Sequence, residues 1–197
     1  MQASNHPQKG DSIKVEPIKS LKDVRLIKKL LADHPRNYCL FVTGINTNLR
    51  ASDLTRLTVG MVRYLQPGQH FTLKEKKTGK ERTITINKSV YEAIQTLLKT
   101  FPEAEDTSPL FQSRKGKKAL CVPYLSGLVK GWCKAANLRG NFGSHSLRKT
   151  WGFQMRTVHN IDLPTLMLML NHSSQKQTLA YLGIQSSEIR NAYMCEI

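Results

Sequence analysis

Acidic side chains are scarce in this chain: 14 aspartates and glutamates face 30 lysines and arginines across 197 residues, a formal charge of +16 at pH 7. No hydrophobic core needs such an imbalance, and its self-repulsion works against compactness, so the excess points to an anionic partner. There is no run of 18 apolar residues and no secretory leader pattern, which excludes a spanning helix and leaves nucleic acid ahead of a membrane surface. Cysteine is also sparse. Cys39, Cys121, Cys133 and Cys195 contain no C-x-x-C pair, which argues against a disulfide framework or a zinc site and for reduced thiols in a cytoplasmic protein. No internal repeat is present.

What remains is 40% hydrophobic and long enough to close one core. Residues 1–19 read as a flexible, basic tail. Ser20 reads as an N-cap for LKDVRLIKKLLADH, with Leu21, Val24, Ile27, Leu30 and Leu31 on one face. NYCLFVTGI reads as a second apolar helix, followed by the turn-rich NTN and by LRASDLTRL. HFTLKE and RTITIN then alternate as strands around KKTGK, a hairpin with Gly79 at its tip. The helical period returns at SVYEAIQTLLKTF, breaks at PEAEDTSP and at the basic loop SRKGKKA, and predicts helices near 123–136, 145–158, 162–171, 174–182 and 186–194. The expected fold class is α+β: mainly helical, with one small antiparallel sheet.

The run GSHSLRKTWG sets His145 and Arg148 one turn apart near a helix start, where both face one way beside free helix-end amides. Alone, such a pair is commonly just solvated surface. LNHSSQKQTLAYLGI places His172 at a turn between helices and Tyr181 nine residues on, where capping and core packing are the plain alternatives. Arg50 and Asp53 could form a surface ion pair of little value. These residues suit one chemistry, transesterification at a phosphodiester. Its transition state gathers charge on two nonbridging oxygens, which two arginines can clamp. A tyrosine of pKa about 10 needs its proton removed, which is work for an imidazole. The leaving oxygen needs a general acid, and Lys77 in the hairpin is the candidate, with adjacent Lys76 as its rival.

HSLRKT followed by LNHSSQKQTLAYLGI closely resembles the catalytic box of the tyrosine recombinases, or phage integrases. TGINTNLRASDL resembles their first arginine segment, with Asp53 where glutamate is commoner, and KKTGKERTITI resembles the hairpin that bears their catalytic lysine. The resemblance spans about residues 20–184 and implies a tyrosine recombinase catalytic-domain fold. It implies that Arg50 and Arg148 bind the scissile phosphate and that Tyr181 attacks it, giving a 3′-phosphotyrosyl link and a free 5′-hydroxyl. Lys77 would protonate the leaving oxygen, His145 would assist proton transfer, His172 would donate to the phosphate, and Asp53 would support the framework. No cofactor and no metal are implied. Asn48 and Asn171 stand where the family often has glycine, and asparagine tolerates left-handed backbone angles.

The expected activity is site-specific recombination of double-stranded DNA. A binding-only protein of the same fold and a type IB topoisomerase-like strand-relaxing enzyme are the alternatives. Lys74, Lys76, Lys80 and Arg82 on the hairpin, with Arg114, Lys115, Lys117 and Lys118 on the later loop, are expected to track DNA backbone. Family resemblance further implies a homo-oligomer on DNA, a tetrameric synapse, and residues 185–197 as a helical tail that contacts a neighbouring protomer. The family usually carries a separate helical domain ahead of this one. Residues 1–19 would supply a reduced substitute, or an accessory DNA-bending or clamp-completing protein would take its place. A nucleoid-associated protein of bacterial, phage or mobile-element origin fits these expectations.

Overall fold

The structure, a computed structural model, describes residues 14–114, 116–183, 190 and 193–196. Helix α1 (Leu21–Leu30) begins where Ser20 accepts hydrogen bonds from the Lys22 and Asp23 amides. Val24, Ile27 and the following Leu31 are buried, whereas Leu21 and Leu30 are about 40% exposed. At 100° per residue the buried trio spans a narrow stripe, and the other two leucines of the expected face fall on its opposite flanks. Pro35 opens α2 (Pro35–Asn46), where its missing N–H costs nothing. Two short helices follow, α3 (Ala51–Leu54) and α4 (Val59–Val62).

Strands β1 (His70–Lys74) and β2 (Glu81–Thr85) pair antiparallel with His70 opposite Thr85 and Lys74 opposite Glu81. Phe71, Leu73 and Ile84 point inward, while the Thr72 and Thr83 hydroxyls meet on the outer face at 3.1 Å. The turn between the strands closes through the Glu75 amide to the Lys80 carbonyl at 2.9 Å, with Gly79 at φ +67°. Helices α5 (Lys88–Leu98), α6 (Val122–Ala135), α7 (Ser144–Thr157), α8 (Leu163–Leu170) and α9 (Gln175–Leu182) complete the described fold. The expected helix over 186–194 lies almost wholly outside the described residues.

The main core gathers apolar residues of α1, α2, α5, α6, the hairpin and the first turn of α7, with Phe41 edge-on to Trp132 at 5.9 Å. Burial pushes the Cys39 and Cys133 thiols up to about 12, so both behave as small apolar groups. A second, smaller cluster of Trp151, Leu166, Leu170 and Leu182 joins α8 and α9 to the far half of α7. Helix α7 therefore belongs to both clusters and carries one to the other.

Residues 14–19 depart from the expected flexible tail. Ile18 is 1% exposed, its amide donates to Thr150 Oγ1 at 2.8 Å, and Gln154 Nε2 donates to the Ile18 and Lys19 carbonyls. The Glu16 amide donates to the Asn141 carbonyl at 2.8 Å. This segment is a strap along α7, because its backbone polar groups find partners there that a sequence-local reading cannot supply.

Helices α2 and α7 meet where Gly44 lies under Leu147: a Cβ built on Gly44 would stand 2.6 Å from Leu147 Cδ1 and 3.2 Å from its Cβ. Gly44→Ala should therefore lower stability by about 1–3 kcal/mol in urea unfolding. Gly127→Ala, on an exposed helical position with nothing within 4 Å, should raise it by about 0.5–1 kcal/mol. Equal shifts for the two would show that the close approach of α2 and α7 is unimportant.

Candidate active site

Each candidate side chain issues from the end of an element, where a short segment aims it. Asn48 adopts a left-handed conformation at φ 54°, turning the chain after α2 so that Arg50 becomes the N-cap residue of α3. In α7, Ser146 Oγ accepts the Gly143 amide at 3.1 Å and fixes the first turn, which carries His145 and Arg148. Asp162 caps α8 through the Thr165 amide, and Asn171 ends it at φ 54°. Ser174 then caps α9, with His172 in the turn between and Tyr181 in the last turn. The two asparagines that stand in place of glycine thus do adopt left-handed angles.

Tertiary packing brings Arg50, His145, Arg148, His172 and Tyr181 to one place. Arg148 is 6% exposed; its Nη2 donates to the Leu170 carbonyl at 2.9 Å, and its buried Nη1 has no hydrogen-bond partner among the described residues. Burial, with Arg82 and Arg50 nearby, pulls its pKa down to about 10 against the opposing pull of Tyr181 and Glu75, so it stays charged at neutral pH. Tyr181 lies edge-on to His172 with ring centroids 5.0 Å apart, and Lys149 Nζ sits 4.9 Å over the phenol ring. Burial raises the Tyr181 pKa, and the charges of Arg148 and Arg50 partly pull it back. His172 Nδ1 is 3.1 Å from Thr178 Oγ1.

Both histidines are held toward the neutral form. For His145 the causes are partial desolvation and then the charges of Arg148, Lys77, Lys149 and Arg50; for His172 they are burial, Arg148 and Arg50. His145 keeps an exposed edge and lines a cleft of about 410 Å³ with Lys14, Ser126, Lys130 and Lys149. Among the described residues no group of three or more His, Cys, Asp or Glu side chains is placed to hold a metal ion.

The two acidic groups of the site serve it in different ways. Asp53 does not pair with Arg50. It is 1% exposed, and its Oδ1 accepts the Lys76 amide at 2.9 Å, which ties the hairpin turn to α3. Arg50 pairs instead with Glu75, which is 5% exposed in its side chain and also accepts from Arg82 Nη1 at 3.1 Å and Thr78 Oγ1 at 2.6 Å. Burial alone would raise the Glu75 pKa, but the hydrogen bonds from Arg50, Thr78 and Arg82 and the Arg50 charge outweigh it and hold the carboxyl down at about 2. Glu75 was not among the sequence candidates. Its one signal was an acid set among lysines in the hairpin, KEKK.

Lys76 and Lys77 are both exposed and both lie in the turn beyond β1, so strand alternation does not separate them. Their surroundings do: the Lys76 backbone is fastened to Asp53, while the Lys77 charge acts on His145. Lys74 and Lys80 are exposed on the hairpin, but Arg82 is largely covered and engaged with Glu75 and with the Met169 carbonyl. Lys117 and Lys118 are exposed on the later loop, and Lys115 lies outside the described residues. Arg114 is exposed beside a hollow of about 280 Å³ that it shares with His34, Arg36 and Tyr124. A hydrogen bond from Arg36 and the nearby Arg114 charge lower the Tyr124 pKa.

The chain matches the phage integrase family over residues 21–188. It is 36% identical over 182 residues to a probable integrase/recombinase, YoeC, of Bacillus subtilis (strain 168), covering 91% of this chain and 95% of that protein. It is 32% identical over 173 residues to tyrosine recombinase XerC of Caldanaerobacter subterraneus subsp. tengcongensis, covering 84% of this chain and 47% of the relative, so it spans about half of that protein's length. Among solved structures, XerA recombinase superposes with a TM-score of 0.73 at 18% identity, over 96% of this chain and 66% of that one. XerH site-specific recombinase bound to difH substrate superposes at 0.69 and 19% identity, over 92% of this chain and 53% of that one. The chain belongs to the phage integrase family of tyrosine recombinases and has the fold of their catalytic domains.

Proposed function

We propose that this chain cleaves and rejoins DNA at specific sites by transesterification, with Tyr181 as the nucleophile and no metal in the chemical step. The observation that carries the reading is the seat of Tyr181: its phenol lies under the influence of Arg148 and Arg50 and against the His172 ring. Two guanidiniums around one half-buried tyrosine form a socket for a charged phosphodiester.

In the proposed step the Tyr181 oxygen attacks phosphorus, the bond to the 5′ oxygen breaks, and a 3′-phosphotyrosyl ester forms. His145, held toward the neutral form, takes the phenolic proton, and Lys77 gives a proton to the departing 5′ oxygen. His172, whose Nδ1 lies against Thr178 Oγ1, donates to a nonbridging oxygen. Attack by another 5′-hydroxyl reverses the step and joins new partners. One ester replaces another throughout, so no cofactor is required. Exposed Lys74, Lys76 and Lys80 on the hairpin and Arg114, Lys117 and Lys118 on the later loop hold the duplex backbone. Recombination further requires several protomers at a synapse. A partner that closes the clamp around DNA and a cytoplasmic, nucleoid-associated setting belong to the same proposal.

Nicked duplexes from DNA flanking the protein's own gene, incubated in EDTA and denatured in SDS, should yield a covalent adduct with a free 5′-hydroxyl that Tyr181→Phe abolishes. Binding without an adduct would sink the catalytic reading. Lys77→Ala should slow adduct formation strongly on ordinary DNA and be rescued by a 5′-bridging phosphorothiolate, whose thiolate leaves without a proton; rescue of Lys76→Ala instead would exchange the two lysines. The pH profile of kcat/KM reports the free protein. Because both histidines sit below the ordinary 6.5, the neutral form persists into mild acid, and the rate should fall only with a midpoint under that value. A midpoint above it would exclude a histidine base. Lys117→Glu with Lys118→Glu should weaken binding and flatten its salt dependence by about 0.9 in log–log slope for each phosphate no longer neutralised.

A further inference from the structure

Arg82 carries one of the hairpin's positive charges, yet its side chain is only 15% exposed. Both arms of its fork are committed. Nη1 reaches Glu75 Oε1 at 3.1 Å, and Nη2 donates to the Met169 carbonyl at 2.9 Å. The same Met169 oxygen accepts from Asn48 Nδ2 at 2.8 Å, and the next carbonyl, Leu170, accepts from Arg148 Nη2 at 2.9 Å. These are the last carbonyls of α8, which no amide of that helix can satisfy and which form its negative end. Asn171 turns left-handed directly after them, and His172 and α9 with Tyr181 follow.

The segment so held has a modest apolar anchorage of its own. Trp151, Leu166, Leu170 and Leu182 join α8 and α9 to α7 in a cluster separate from the main core. The side chains that fasten its turn to the rest of the site are Asn48, Arg82 and Arg148. Of these, Arg82 alone is linked through Glu75 to both Arg50 and Thr78, hence to the phosphate clamp and to the turn that bears Lys77.

We propose that Arg82 is a positioning residue for the nucleophile and not a DNA contact. Its fork bridges the Glu75 carboxylate and the end of α8, so that Arg50, the lysine turn and Tyr181 keep one mutual geometry. The inference rests on the reading of Tyr181 as nucleophile. A lysine, with a single nitrogen in place of two spaced ones, would not hold both partners at the fork's fixed angles.

The test compares Arg82→Ala, Arg82→Lys and Lys80→Ala in the full chain on the nicked duplex. Both Arg82 variants should form adduct about 10- to 100-fold more slowly at saturating DNA, with unchanged Kd and salt slope. Lys80→Ala should bind more weakly, with a slope shallower by about 0.9. Hydrogen exchange of the free protein should quicken at amides 171–182 in both Arg82 variants while α2 amides stay as in the parent. A normal saturated rate in Arg82→Lys, or weaker binding with a shallower slope in Arg82→Ala, would overturn the proposal. Should Arg82→Ala fail to fold, Arg82→Lys decides alone. Should the parent form no adduct, the catalytic reading fails by itself, and exchange at 171–182 still decides: unchanged exchange removes the positioning role.

Discussion

The buried carboxylate of Glu75 allows the cations of this site to stand together. Arg50, Arg82 and Arg148 converge in a largely desolvated space where like charges repel strongly. Glu75 lies among them, paired with Arg50 and Arg82 and held ionised by their hydrogen bonds and that of Thr78. Removing a partner from such a buried pair leaves an uncompensated charge, which is why these groups stay where they are. The same carboxylate makes the site a connected body: through Thr78 it reaches the lysine turn, and through Arg82 it reaches the end of α8.

The scaffold beneath this network is built to keep element ends in register. Arg50 caps α3, His145 lies in the first turn of α7, His172 joins α8 to α9, and Tyr181 lies in the last turn of α9. Helix α7 passes close over α2 at Gly44 and close under α9, where a Cβ on Gly152 would stand 2.7 Å from Leu182 Cδ2. The strap of residues 14–19 adds hydrogen bonds to Thr150 and Gln154 on the same helix. A reacting geometry depends on such support, since the side chains can be no better placed than the helices that present them.

Charge in this protein therefore serves two ends. Lysines at 74, 76, 77, 80, 117 and 118 stand in water, available to a polyanion. Arginines at 50, 82 and 148 are turned inward, where a planar fork can satisfy a carboxylate or a carbonyl at fixed angles. Desolvation first, and then the same crowding of cations, pulls both histidines toward the neutral form.

Local chemistry was legible in the sequence alone: Ser20 as a cap, asparagine at the left-handed positions 48 and 171, Gly79 at the hairpin tip, and the α+β class itself. Each is settled by partners within a few residues. The spacing of His145, Arg148, His172 and Tyr181 was legible too, as a resemblance. Burial of Ile18, exposure of Leu21 and Leu30, the pairing of Arg50 with Glu75 in place of Asp53, and the inward turn of Arg82 were not. Ile18 donates to Thr150 across 132 residues, and Arg82 finds the Met169 carbonyl across 87. A sequence states how many charges and donors a chain carries; which of them meet is decided when distant helix ends, short of their own partners, pack against one another.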